Sequence, residues 1–430
     1  MKHKSRYLQS EIQLIRAEKT IPLGSQTFSK SRTQYPVGIS PLFIESASGS
    51  KVWDIDGNKY IDLVSSLASV TLGYNNRKIN QAVTKQLSKG VNFSLPSVLE
   101  SEVAEMICQI VPSAESVRFG KNGTDATSAA IRLSRAYTSR NRVLVCGYHG
   151  WQDWYIGSTS RNKGVPQEVS NLTSSFKYNQ IENFKKVLDS GTDVACVIME
   201  PMNMTFPQKG FLEEIREITR SMGIVLIFDE TITGFRMSEG GAQEYFGITP
   251  DLSTFGKGIA NGFPLSVVTG KFEIMKEMEE IFFSGTFGGE LLSLAAAKVV
   301  LSKHLEKQIC NQLAKTGEIL AIITENIILR NGLQEVLSIS GHSSWKFLNW
   351  NPTPEYTVPE LKTFFMQEVF KRGLLVLGTH NISTAHSSAD LKKISEVYGD
   401  VLGEMKIAID EDKLRSKLEV VPLQPLFKVR

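Results

Sequence analysis

Four cysteines in 430 residues, none in a Cys-x-x-Cys spacing, and only six histidines leave little material for metal chemistry. Cys108, Cys146, Cys196 and Cys310 are scattered, and Cys146 and Cys196 fall inside apolar runs. They are expected to be reduced core thiols, and no zinc site is expected because the histidines do not cluster with them. Charge of one sign is also missing. The formal net charge is +3 and there is no long basic tract, which argues against a nucleic-acid partner. No apolar stretch approaches the length of a membrane span. Residues 1–18 are basic but lack the continuous apolar core of a signal peptide. There Leu8, Ile12 and Ile15 share one helical face, which predicts a short amphipathic helix packed on the body. Internal repeats and low-complexity segments are absent, so a soluble, cytoplasmic protein large enough for two domains is expected.

What the chain does contain is alternation. Lys51–Asp62 reads as a hairpin around Asp56-Gly57-Asn58. A helix is expected at Glu100–Ile110, and a second follows Gly120–Asp125 through Tyr137. Strands are expected at Arg142–Cys146, Val194–Met199, Ile224–Phe228 and Leu265–Thr269, with a helix at Leu212–Ser221. The fold class is therefore α/β, with a mostly parallel sheet covered on both faces. A large domain is placed at residues 61–305. A smaller α+β domain is built from both chain ends, residues 1–60 and 306–430.

The chemistry concentrates at strand ends. Asp229 closes the run Ile224-Val225-Leu226-Ile227-Phe228, at the carboxyl edge where open α/β sheets present ligand groups. Lys257 follows in a loop bounded by Gly256 and Gly258. A strand-end aspartate and a loop lysine suit pyridoxal phosphate: the lysine attaches the aldehyde, and the carboxylate keeps the pyridine nitrogen protonated. Taken alone, the two residues also fit a solvated lysine and a helix-capping aspartate. Gly120-Lys121-Asn122-Gly123-Thr124-Asp125 opens a helix whose free N–H groups suit a phosphate, although a plain capped start reads the same way. Tyr148-His149 offers aromatic rings after the next strand, Glu200 closes another strand, and Thr286 lies in the glycine-rich segment Gly285–Gly289.

Read in order, Trp53-Asp54-Ile55-Asp56-Gly57, Asn122-Gly123-Thr124-Asp125-Ala126, Tyr148-His149-Gly150-Trp151, Glu200-Pro201, Asp229-Glu230-Thr231-Ile232-Thr233-Gly234-Phe235-Arg236, Gly256-Lys257 and Gly285-Thr286-Phe287 resemble a class III (fold type I) pyridoxal phosphate aminotransferase. The branch is that of glutamate-1-semialdehyde 2,1-aminomutase. The resemblance implies that Lys257 carries the cofactor covalently and shuttles a proton between the substrate carbon and the cofactor's C4′. It implies that Asp229 pairs with the ring nitrogen, that Tyr148 (or its neighbour His149) stacks on one face, and that Thr231 supports the other. Asn122, Gly123 and Thr124 would hold the phosphate, joined by Thr286 from a partner subunit in a homodimer. Glu200 would belong to the hydrogen-bonded surround.

The chain departs from the aminomutase pattern at Asn122, where that pattern has serine, and at Asp125, where it has glutamate. No arginine clamp for a substrate carboxylate is evident, and Lys30 or Arg32 could serve that end. Gln26, Ser29, Asn92, Ser94 and Gln152 are polar and uncharged, which suits a hydroxyl-rich molecule. The expected activity is transfer of an amino group from an amino acid, L-glutamate above all, to a sugar-type carbonyl acceptor. The transaminase that forms 8-amino-3,8-dideoxy-octulosonate for lipopolysaccharide is one such relative. The aminomutase, an isomerase, is the alternative. A dinucleotide-binding oxidoreductase fits less well, because Gly256-Lys257-Gly258 has no correctly placed third glycine.

Overall fold

In the computed structural model, which describes residues 6–423, the chain forms two compact units. One spans Arg77–Asn311. The other takes the chain up to Asn76 and again from Gln312. Residues 1–5 and 424–430, which the expected small domain includes, lie outside the described residues.

The Arg77–Asn311 unit is built on a seven-stranded sheet. Its spatial order is Ser116–Gly120, Ser266–Gly270, Leu252–Phe255, Val225–Asp229, Val194–Met199, Arg142–Cys146 and Thr173–Ser175. All neighbouring pairs are parallel except those made by Ser266–Gly270, which runs antiparallel to both of its neighbours. The central strands are continuous apolar runs because both faces are covered. Val143, Val145, Ile198, Val225 and Ile227 pack under Ala126, Ala129, Ala130 and Leu133 of the Gly123–Thr138 helix. Leu144, Cys146, Val197, Met199, Leu226 and Phe228 face the other way, onto Phe184, Phe211, Leu212 and Ile215. This two-residue alternation carries Asp229 onto the face of Ile227, the side of the Gly123–Thr138 helix. Register then lines up the strand ends, since Cys146 pairs with Met199, Met199 with Phe228, and Asp229 with Thr254.

The other unit contains a four-stranded sheet (Ile44–Ser48, Lys51–Asp54, Lys59–Asp62, Leu374–Leu375) and a three-stranded one (Leu337–His342, Trp345–Trp350, Thr379–Asn381). The expected hairpin forms because Asp54 Oδ1 accepts the Asp56 and Asn58 N–H groups at 3.1 and 2.7 Å, with Gly57 at φ +84°. Asp56 in that turn accepts the N–H groups of Gln9 and Ser10 and caps the helix Leu8–Glu18. That helix buries Ser10, Leu14 and Ala17, whereas Ile12 and Ile15 are exposed. The face expected to pack is thus the wrong one, since the cap from Asp56 fixes the helix by a different side. Nothing in the sequence announces the turn Ser65–Ala68, where four consecutive non-glycine residues have φ between +45° and +67°. Left-handed backbone costs about 1–2 kcal/mol per residue. Asp62 Oδ1 holds the turn by accepting from Val64 and Ser65 N–H, and Asn381 receives the Ser65 hydroxyl.

Among the described residues, no helix is long and apolar enough to cross a membrane. The sheet itself is pinned by Asp251, which takes two hydrogen bonds from buried Arg216 (2.9 and 3.2 Å), one from Leu226 N–H (2.9 Å), and an ion pair from Lys271. Burial opposes its charge, but these donors prevail and hold its pKa below the usual carboxylate value. Asp251→Asn leaves the Arg216 guanidinium buried without its counter-charge, and should cost about 3–5 kcal/mol in urea unfolding. Because the folded-state pKa is depressed, this contribution is complete above the ordinary carboxylate range. It is lost as pH falls through the folded value, so the variant and the parent should converge in stability under acid.

Candidate active site

The site grows out of the aligned strand ends. Asp229 is 5% exposed, and donors reach both of its carboxylate oxygens. Oδ1 accepts the Thr231 hydroxyl at 2.6 Å, the Thr231 N–H at 3.1 Å and the Thr254 hydroxyl at 3.2 Å. Oδ2 lies 2.8 Å from His149 Nδ1. Burial pushes the acid toward its neutral form, but the hydrogen bond and charge of His149, with the Thr231 donors, outweigh it and leave the pKa below the ordinary aspartate value. With one donor against three on Oδ1, Oδ2 keeps capacity to accept another N–H.

His149 does not offer its ring face to the site as a stacking partner, as the sequence suggested for it. Its edge is committed to Asp229, and its ring lies against Trp154 (6.5 Å, interplanar 17°) and edge-on to Tyr155 (5.3 Å). Its carbonyl takes the Thr127 hydroxyl of the Gly123–Thr138 helix at 2.8 Å, which joins the loop to that helix. Tyr148 is half-exposed and meets Tyr155 edge-to-face at 5.7 Å. Buried Glu200 accepts the Tyr148 N–H at 3.2 Å. Gly147 (φ +110°) leaves the space that this carboxylate fills, since a Cβ there would stand 2.5 Å from Glu200 Oε2.

Three further pieces converge on Thr231. A Cβ on Gly123 would come within 3.2 Å of Thr231 Cγ2, and one on Gly256 within 3.4 Å of the same atom and 3.9 Å of the Gly123 Cα. Lys257 is the next residue, partly buried, and its φ of +42° is unusual for a long side chain. Asn122, exposed, caps the Gly123–Thr138 helix, and Asp125 accepts the Lys121 and Asn122 N–H groups at 3.0 and 2.8 Å. Thr124 Oγ1 is buried without a hydrogen-bond partner beside that helix start. Asp229, Gly123, Thr124, Tyr148, His149, Glu200, Thr231 and Gly256-Lys257 therefore come together in one unit. These residues fit pyridoxal phosphate: a buried carboxylate held anionic for a ring cation, glycine backbone at a helix amino end, and an unsatisfied buried hydroxyl for a phosphate oxygen.

The remaining candidates are less gathered. Thr286 is exposed, its carbonyl accepting Asn92 Nδ2 at 3.0 Å, and Ser94 is exposed nearby in sequence. Gln26, Ser29, Lys30 and Arg32 are exposed in the other unit, where Arg32 pairs with Glu18. Sequence reasoning missed Thr254. Its signal was a lone hydroxyl in the apolar strand Leu252–Phe255, in register with Asp229. It also missed one meeting of cysteine and histidine. Glu239, His304 and Cys310 bring their ligand-type atoms within 4.8 Å, contrary to the expectation that no histidine clusters with a cysteine. The trio is closed by its own hydrogen bonds, because Glu239 Oε2 pairs with His304 Nδ1 and Oε1 accepts the Cys310 N–H at 3.1 Å.

Comparison with known proteins agrees with this geometry. Residues 34–382 match the family model described as aminotransferase class-III. Glutamate-1-semialdehyde 2,1-aminomutase 2 of Brevibacillus brevis is 34% identical over 88% of this chain and 95% of its own length. Glutamate-1-semialdehyde 2,1-aminomutase of Methanosarcina acetivorans is 33% identical over 89% of this chain and 99% of its own. The PLP internal aldimine form of the Sphingopyxis sp. MTA144 FumI protein is similar in structure at TM-score 0.86 and 26% identity, covering 93% of this chain and 97% of that one. The sheet of mostly parallel strands is thus that of a fold type I pyridoxal phosphate transferase, and the chain belongs to the class-III aminotransferases, enzymes that work through pyridoxal 5′-phosphate.

Proposed function

We propose that this enzyme moves an amino group with Lys257 as its covalent anchor and proton carrier and with Asp229 as the group that keeps the cofactor ring cationic. The observation that carries this reading is the buried Asp229 carboxylate, held anionic by His149, Thr231 and Thr254 with room on Oδ2 for one more donor, and joined through Thr231 to Gly256, the neighbour of Lys257. When bound, the cofactor supplies an aldehyde that condenses with primary amines and a pyridinium ring that accepts electrons. Lys257 would hold the cofactor aldehyde, and its Nζ, when free, would take the proton from the substrate carbon and carry it. Asp229 holds the proton on the ring nitrogen, and His149 and Thr231 hold Asp229. The amino end of the Gly123–Thr138 helix, with Asn122, Gly123 and the Thr124 hydroxyl, takes the phosphate. Tyr148 and Thr231 would flank the ring, and Glu200 fixes the Tyr148 backbone.

Thr286 reaches the phosphate of a partner subunit in a homodimer. Support comes from Phe93, Leu95, Val98, Phe282 and Phe287, large apolar side chains left exposed on the two segments that Asn92 and Thr286 join.

For the substrate, the curated relatives favour exchange of amino and carbonyl groups within one molecule, as their name states. The second reading is transfer from L-glutamate to a separate, hydroxyl-rich carbonyl acceptor, such as the 8-oxo-3,8-dideoxy-octulosonate of lipopolysaccharide sugar synthesis. It is favoured by Asn122 and Asp125, which replace the aminomutase's residues at the helix start, and by the uncharged Asn92, Ser94 and Gln152. On this reading Gln26, Ser29, Lys30 and Arg32 are substrate candidates.

Three outcomes test these assignments. Mixing the enzyme with L-glutamate alone should leave 2-oxoglutarate unformed if the aminomutase reading holds, whereas one equivalent per site supports transfer to a second substrate. Replacing Asp229 with Asn should reduce kcat at least about a hundredfold, the usual scale for losing a pre-placed charge. His149→Leu removes the largest influence that keeps Asp229 charged against burial. The Asp229 pKa then rises, and the acid limb of the kcat profile should move to higher pH. An unmoved acid limb would contradict the role of His149.

A further inference from the structure

The segment that carries Thr286 is held to the helix start by an ion pair that no step above uses. Lys121 stands between the end of the Ser116–Gly120 strand and Asn122, and its Nζ lies 3.1 Å from Glu290 Oε2. Both side chains are largely sheltered, 19% and 13% exposed, so the attraction is screened less than on an open surface. Neither end is free to wander. The Lys121 N–H donates to Asp125 at 3.0 Å. Glu290 caps the helix Leu291–Leu305, accepting the Leu292 and Ser293 N–H groups and the Ser293 hydroxyl.

From Glu290 back to Thr286 the chain is a pair of tight turns, with Glu290 N–H bonded to the Phe287 carbonyl and Gly288 N–H to the Gly285 carbonyl. Gly289 is pressed on Glu100, where a Cβ would lie 2.7 Å from the carboxylate. A displacement of Glu290 is therefore a displacement of Thr286, whose carbonyl is also held by Asn92 Nδ2.

We infer that Lys121 is a positioning residue for cofactor phosphate. Paired with Glu290, it sets the Thr286 segment relative to the amino end of the Gly123–Thr138 helix. This inference rests on the reading that Thr124 and Thr286 both serve a phosphate. In a dimer where Thr286 reaches the partner's cofactor, the pair in one subunit positions a donor for the other. Lys121 acts through Glu290 and does not itself touch the phosphate. A direct phosphate ligand would be strengthened by freeing it from Glu290, and the two roles therefore predict opposite effects of Glu290→Gln.

The test is titration of the cofactor-resolved full-length enzyme with pyridoxal phosphate, read by absorbance of the bound cofactor. The unfolding midpoint of the same cofactor-resolved samples is the control. Lys121→Met should weaken binding about tenfold, and Glu290→Gln, which keeps one acceptor oxygen for the helix cap, should act in the same direction. The double variant should be no weaker than the worse single one, and Lys121→Arg should restore most of the affinity. kcat at saturating cofactor should fall far less than affinity does. Parental affinity in Lys121→Met, tighter binding in Glu290→Gln, additive losses, or a loss matched by a lowered unfolding midpoint each overturn the inference. Thr124→Ala and Thr286→Ala separate the layers. If they weaken binding while Lys121→Met does not, the positioning role alone fails. If they also bind normally, the phosphate assignment beneath it fails.

Discussion

A carboxylate buried in a sheet and kept charged is the constraint on which the rest of this site depends. An isolated anion at the position of Asp229 would take up a proton, because burial penalises charge by several kcal/mol. Four donors from three chain segments prevent that: His149 after one strand, Thr231 after a second, and Thr254 on a third. The neighbouring acid shows what happens without a basic partner. Glu230 is as deeply buried and is also well hydrogen-bonded, by Thr233, Ala242 and Gln243, yet all its donors are neutral. Burial then dominates, and the Glu230 pKa is raised whereas that of Asp229 is lowered. Two adjacent carboxylates are pushed apart by the presence or absence of one imidazole, which suits one to electrostatics and the other to capping a turn.

The scaffold supplies this arrangement through register. Pairing of Cys146 with Met199 and of Met199 with Phe228 brings Gly147, Glu200 and Asp229 to one edge. Glycines then allow backbone and side chain to approach where a Cβ would collide, at Gly147 against Glu200 and at Gly150 against Thr124. The helix amino end at Gly123 is brought against Thr231 in the same way. The residues proposed to bind the cofactor and to charge its ring are thus held by the same strands that form the core.

Much of this was legible in the chain. Apolar runs closed by a single acid marked the strand ends, glycine pairs marked the helix start and the lysine loop, and the collinear motifs named the family. Partner choice was harder to read. His149 looked like a ring for stacking because sequence reports an aromatic residue without the direction of its edge. Thr254 was invisible because its link to Asp229 exists only through strand register. The face of the first helix was misjudged because Asp56, far along the chain, caps it and sets its rotation. The left-handed turn Ser65–Ala68 contains no glycine to advertise it, and it persists through contacts from Asp62 and Asn381. Glu239, His304 and Cys310 meet only in the folded chain. Each miss is a long-range contact overriding a local pattern.

The claim beneath all of this is that a single lysine beside the Asp229 network carries the cofactor. Reducing the holoenzyme with borohydride and mapping its peptides by mass spectrometry measures that directly. The account predicts loss of the visible absorption and one pyridoxyl phosphate adduct, on the peptide containing Lys257. An adduct on any other lysine, or none on a coloured and active enzyme, would contradict it.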